Sequence, residues 1–246
     1  MEKENFKDIV HLKPEHEFNS EQFWSIGGSY MRMSRELYQD FEAELSKITW
    51  VLDNTGEHYS SPLGLRIPDD EMPKNMTDME RLRFLNKHVT SSLSPEFISC
   101  IERLLISNQT FELQNLYDFK IVFSDLWNGS EGCPWHWDGT DSGDAIILAY
   151  FTDHSSWKPE FGGQLEIGRN LAERSVYLSK IKKTESFGFI PPKKQGWVLV
   201  NNKNPHLIHR CNKLHKDSER RMTLTLGIEF VIKEDLNDKS KVIWPE

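Results

Sequence analysis

Gly132-Cys-Pro-Trp-His-Trp-Asp-Gly139 is the stretch from which the rest of the chain can be read. His136 and Asp138 are two residues apart. On an extended strand the side chains at i and i+2 leave the same face, so an imidazole and a carboxylate converge on one point. They make two thirds of a facial 2-His-1-carboxylate triad, the arrangement that holds Fe(II) and leaves coordination positions open. The third ligand would be a histidine from a later strand, and both His206 and His209 are candidates. In a chain with nine histidines and 38 acidic residues a His-x-Asp pair also arises by chance, so the surrounding sequence has to carry the case. Turn-forming Trp127-Asn-Gly-Ser-Glu precedes the stretch, Gly139-Thr-Asp-Ser-Gly-Asp follows it, and an apolar run and a Gly162-Gly163 turn come next.

Outward from this stretch the hydrophobic periodicity is that of strands. It predicts strands at Phe111 to Leu116, Lys120 to Trp127, Ala145 to Thr152, Gln164 to Gly168, Ser186 to Ile190, Gly196 to Asn201, His206 to Leu214 and Arg221 to Ile232. No helical pattern separates them, which is the signature of a sandwich, barrel or jelly roll. In the last strand Arg221, Thr223 and Thr225 share one face and Met222, Leu224 and Leu226 the other, so a guanidinium and two hydroxyls point into the barrel. Arg220 is the adjacent competitor on the opposite face. The Gly162-Gly163 pair permits a sharp turn and is structural.

The amino-terminal part reads differently. Residues 1 to about 19 suggest an arm or a short strand. One amphipathic helix is expected from Ser20 on to Leu52, interrupted near Gly27-Gly28, with Leu37, Phe41, Leu45 and Ile48 at helical spacing over Met31 to Leu52. Asp53 to Asn75 holds five Gly and Pro breakers, which suggests a binding or lid loop with a short strand at Leu63 to Ile67. A capping box at Thr77 and the Ser94-Pro95-Glu96 start, followed by Phe97, Ile101, Leu104 and Leu105, predict two more helices packed outside the sheet. One domain spans 1–246, with 1–110 as mainly helical support and lid and 111–235 as the β core.

Composition bounds the partners. Thirty basic against 38 acidic residues leave a net charge of -8, which argues against a general nucleic-acid binder. The expected setting is the cytoplasm: the start Met1-Glu-Lys-Glu-Asn lacks a signal peptide's apolar core, and no apolar run is long enough to span a bilayer. Cys100, Cys133 and Cys211 lack the close spacing of a disulfide scaffold or zinc ribbon and read as reduced thiols.

The order of these features resembles the Fe(II)- and 2-oxoglutarate-dependent dioxygenases, in particular their prolyl-hydroxylase-like branch. The resemblance covers about residues 119–230. It rests on His136-Trp-Asp138, on Tyr150-Phe-Thr152 with Trp157 and Phe161-Gly-Gly-Gln-Leu165, on Trp197-Val-Leu-Val-Asn201, and on Arg221-Met-Thr-Leu-Thr225. It implies a double-stranded β-helix core of the jelly-roll, cupin-like kind, with Fe(II) held by His136, Asp138 and a distal histidine. His209, in His-Arg-Cys-Asn-Lys-Leu214, is preferred over His206, in Asn204-Pro-His-Leu-Ile208, because it stands closer to Arg221. It also implies that Arg221, helped by Thr223 or Tyr150, anchors 2-oxoglutarate, and that O2 is the other cosubstrate. Turnover would release succinate and CO2 while oxidising a C–H bond. Halogenating relatives replace the carboxylate ligand with a small residue, so the presence of Asp138 implies hydroxylation instead. The substrate expected is an amino acid or an amino-acid-derived small molecule. A peptide side chain and a non-catalytic, metal-binding cupin-like domain are the competing readings, and the oligomeric state is left open.

Overall fold

A computed structural model describes residues 12–47, 50–52, 59–62, 93–106, 111–116, 122–126, 132–139, 143–151, 157–171, 183–215 and 221–232. Among them are three α-helices: α1 (Ser20–Ser25), α2 (Arg35–Ser46) and α3 (Pro95–Ile106). The strands are β1 (Gly28–Arg32), β2 (Trp50–Leu52), β3 (Tyr59–Pro62), β4 (Phe111–Leu116), β5 (Val122–Leu126), β6 (Cys133–His136) and β7 (Ala145–Tyr150). They continue with β8 (Leu165–Asn170), β9 (Thr184–Ile190), β10 (Gly196–Asn201), β11 (Leu207–Cys211) and β12 (Arg221–Ile232).

The strands form two sheets. The large one runs β1-β10-β7-β12-β5-β3-β2, with β4 also pairing β12, and the small one runs β6-β11-β8-β9. From β5 onward the chain passes repeatedly between them: β5, β7, β10 and β12 lie in the large sheet, and β6, β8, β9 and β11 in the small one. Winding an antiparallel chain around a shared interior in this way makes a double-stranded β-helix. The β-core expected from the sequence is therefore the observed one.

Two apolar layers hold it together. Inside, Ile146, Leu148 and Tyr150 of β7 and Val198 and Val200 of β10 meet Leu165, Ile167 and Ile190 of the small sheet. On the outer face of the large sheet, Ile147, Ala149, Leu199, Leu224 and Leu226 pack under α2 and α3 through Phe41, Leu45, Phe97, Ile101 and Leu104. Both helices start where a serine can cap them: the Ser34 hydroxyl accepts the Leu37 N–H at 3.1 Å, and the Ser94 hydroxyl accepts the Phe97 N–H at 3.0 Å. The Ser94 hydroxyl also donates to Glu44 at 2.8 Å, tying one helix to the other.

The amino-terminal part contains more sheet than its sequence suggests. The helix expected from Met31 starts only at Arg35, while Gly28–Arg32 is strand β1, paired with β10 at the edge of the large sheet. Tyr30 is buried in the interior layer and Met31 in the helix-side layer. A strand covered on both faces loses the polar–apolar alternation that would distinguish it from a buried helix. Trp50–Leu52, placed in that same helix, is strand β2, and Tyr59–Pro62, within the breaker-rich segment, is β3 beside β5. The helix expected from Thr77 and the strand expected at Leu63 to Ile67 lie outside the described residues.

Candidate functional site

β6 and β11 pair with His136 directly across from His209. Directly opposed residues share a face, so both imidazoles turn into the interior, with ring centroids 4.3 Å apart. Asp138 lies just beyond the end of β6. Its Oδ1 is 3.6 Å from His136 Nε2 and its Oδ2 is 3.3 Å from His209 Nε2. One ligand-type atom from each of the three residues falls within 4.8 Å of the others.

The protonation states suit a metal. His136 Nδ1 is 2.7 Å from the Pro134 carbonyl, which can only accept, so Nδ1 carries the proton and Nε2 keeps its lone pair toward Asp138. Burial pushes His136 down to about 4, and the neighbouring His209 pushes the same way, so its ring is neutral at neutral pH. Burial alone would raise Asp138, but His209 and then His136 outweigh it and leave the carboxyl below its ordinary value. A donor set with a neutral imidazole, a second imidazole and a carboxylate on one point is the set that suits Fe(II).

The turn that carries Asp138 is held from the residue just after β10. Asn202 Nδ2 donates to the carbonyls of Gly139 at 2.6 Å and Gly143 at 2.9 Å, while Trp137 Nε1 donates to the Asn202 carbonyl at 3.0 Å. The sequence reading missed Asn202. Its signal was the asparagine run Asn201-Asn202-Lys-Asn204 closing a strand, since such side chains substitute for backbone groups in turns.

A second polar cluster lies in the same interior, on the large sheet. Arg221, Thr223 and Tyr150 are all buried, and Thr223 stands directly across from Tyr150. The alternation read from the sequence holds: Leu224 and Leu226 face the helices, and Arg221 and Thr223 the interior. The Arg221 guanidinium carbon is 5.3 Å from the centre of the Tyr150 ring. Burial pushes the Tyr150 hydroxyl up to about 12 against the opposing pull of Arg221, so it keeps its proton and can donate. Thr223 Oγ1 is buried with no hydrogen-bond partner among the described residues. A buried guanidinium beside an unsatisfied hydroxyl suits a carboxylate ligand, which would accept from both.

Gly162-Gly163 shapes this second cluster. Gly163 has φ +70°, and a Cβ there would come within 2.7 Å of Leu214 Cδ1 and 3.1 Å of Arg221 Cδ. The Gly163 N–H donates to the Lys213 carbonyl at 3.0 Å, so the turn backbone lies against the stem of Arg221. His206 precedes β11, its N–H bonded to Asn204 Oδ1 at 3.0 Å, and its ring is not part of the His136–Asp138–His209 group. Arg220 and Thr152 lie outside the described residues.

Neither a protein-family model nor a curated protein matches the sequence. The solved structures that the fold resembles include 2OG-Fe(II) oxygenases. An oxidoreductase of the 2OG-Fe(II) oxygenase family from Burkholderia pseudomallei is 7% identical, covering 89% of this chain and 94% of that one at a TM-score of 0.48. A prolyl hydroxylase from Trichoplax adhaerens, solved with a hypoxia inducible factor peptide fragment, is 16% identical over 84% and 85% at 0.43. A prolyl-4-hydroxylase from Pseudomonas putida is 14% identical over 89% and 95% at 0.41. The functional reading that follows rests on this chain's own side chains. Among the described residues no helix is long and apolar enough to cross a membrane.

Proposed function

We propose that the chain is a single-domain Fe(II)- and 2-oxoglutarate-dependent oxygenase. It hydroxylates an unactivated C–H bond of an amino acid or amino-acid-derived small molecule and releases succinate and CO2. The observation that carries this reading is the occurrence of both clusters in one barrel: two histidines and a carboxylate on the small-sheet side, and a buried Arg221 with Thr223 and Tyr150 on the large-sheet side. A metal-binding cupin-like domain without turnover has no need of the second cluster.

His136 and His209 would hold the metal through Nε2, and Asp138 through a carboxylate oxygen. Bound Fe(II) supplies the activation of O2 that couples loss of CO2 from 2-oxoglutarate to oxidation of the substrate. Arg221 binds the far carboxylate of 2-oxoglutarate through two charge-assisted hydrogen bonds, with the Thr223 and Tyr150 hydroxyls as further donors. Leu148, Leu165, Ile167 and Val198 line the interior with hydrocarbon and keep water from the reacting centre.

Arg169 supports a small, carboxylate-bearing substrate. On β8, Ile167 is paired with His209 and Arg169 with Leu207. Cys211, paired with Leu165, lies toward Arg221, so Arg169 falls on the other side of the histidine row, on the same inward face. Its guanidinium carbon sits 5.4 Å from the centre of the Phe187 ring, and Glu185 of β9 is its cross-strand partner. In this reading Arg169 receives the carboxylate of an amino acid whose side chain reaches the metal. The test is succinate release with Fe(II) and 2-oxoglutarate across free L-amino acids, their amides and short peptides. Stimulation by one or more free acids and not by the matching amides is the expected result, whereas stimulation by peptides alone would move the substrate to a protein side chain.

A further inference from the structure

We propose that Cys133 and Cys211 are a cross-strand redox pair whose disulfide staples the edge strand β6 to β11, one residue pair from the histidine row. Cys211 is the cross-strand partner of Cys133, as His209 is of His136, with a β-bulge between the two pairs that sets three residues of β6 against two of β11. Opposed antiparallel residues have Cα atoms ~4.5 to 5.5 Å apart, inside the ~4.4 to 6.8 Å range that a disulfide spans. Neither cysteine is in a disulfide, and both are partly exposed. Cys133 Sγ is 3.4 Å from His136 Nδ1, and Cys211 Sγ is 3.8 Å from the Gly163 carbonyl. Some eighty residues separate the two in sequence, so spacing gave no hint of the pairing.

β6 is the strand on which such a staple has most effect. It is four residues long, it ends the small sheet, Pro134 removes one of its N–H groups, and only two register pairs join it to β11. It nevertheless carries His136 and leads directly into Asp138. A cross-link closing a loop of about eighty residues also restricts the unfolded chain strongly. Oxidation by a peroxide balances without any further reactant. One thiol attacks the O–O bond, giving a sulfenic acid and water, and the second thiol displaces water from that sulfur to form the disulfide. Two electrons leave the sulfurs and two waters are formed.

The full chain, metal-free, would be treated with hydrogen peroxide, digested without reduction and examined by mass spectrometry, with its thermal midpoint measured before and after. A Cys133–Cys211 linked peptide that dithiothreitol removes is expected, together with a rise in midpoint of about 5 °C or more. Cys133→Ser and Cys211→Ser should each abolish the linked peptide and the rise, and Cys100→Ser, on the far side of the large sheet in α3, should keep both. Absence of the Cys133–Cys211 peptide, linkage through Cys100 instead, or a linked protein whose midpoint is no higher would overturn the proposal.

Discussion

Arg221, Thr223 and Tyr150 stand on β12 and β7, neighbours in the middle of the large sheet, whereas His136 and Asp138 belong to the edge strand of the small sheet and the turn beyond it. The first group is locked by strands on either side and by the helix-side core beneath. The second depends on two register pairs and on side-chain bonds from Asn202. An anchor for a flexible dicarboxylate can be built into a core, because burial strengthens its charge-assisted bonds. A metal ligand set needs three converging donors and an open side, here two from the end of β6 and one from β11, which places it where a strand ends. The two clusters should therefore respond independently to substitution.

Loss of a metal ligand should have the largest effect. Asp138→Ala should weaken Fe(II) binding on the order of 100-fold or more, since even partners that merely orient ligands are worth about 10- to 100-fold, and turnover should vanish. Iron affinity within a factor of two of the wild type would remove Asp138 from the site. Arg221→Ala comes next: losing one member of a buried charge pair costs about 2 to 5 kcal/mol, or roughly 30-fold to several-thousand-fold in affinity. The 2-oxoglutarate requirement, measured by succinate release, should rise by that factor with iron affinity unchanged. A normal 2-oxoglutarate requirement would break the comparison at its other end and favour a metal-binding domain without turnover. Asn202→Ala should have a smaller effect, about 10-fold on iron affinity, because it frees the turn behind Asp138 without touching a donor atom. Its 2-oxoglutarate affinity should be that of the wild type, and a loss there as large as the loss for iron would show that the clusters are not independent.

Much of this was legible in the sequence, for identifiable reasons. β4, β10 and β12 have the boundaries read from periodicity, because each is bounded by turn residues or follows a run of charges. The inward set of Arg221 and Thr223 follows from strict alternation, and His136 with Asp138 from their spacing. What spacing cannot supply is the register between distant strands. Only the pairing of β6 with β11 brings His209, not His206, to His136 and sets Cys133 against Cys211. β1 was misread as the start of a helix because Tyr30 and Met31 are buried on opposite faces, which removes the alternation. Asn202 was missed because its role is to bond the backbone of a turn some sixty residues earlier in the chain.

Anaerobic calorimetric titration of Fe(II) into wild type, His209→Ala and His206→Ala tests the central claim most directly, because one histidine is in the cluster and the other, three residues away, is not. One equivalent should bind to the wild type and to His206→Ala with affinities within about twofold, and His209→Ala should lose binding on the order of 100-fold. Wild-type affinity in His209→Ala, with the loss found in His206→Ala instead, would contradict the assignment of His136, Asp138 and His209 as the iron site.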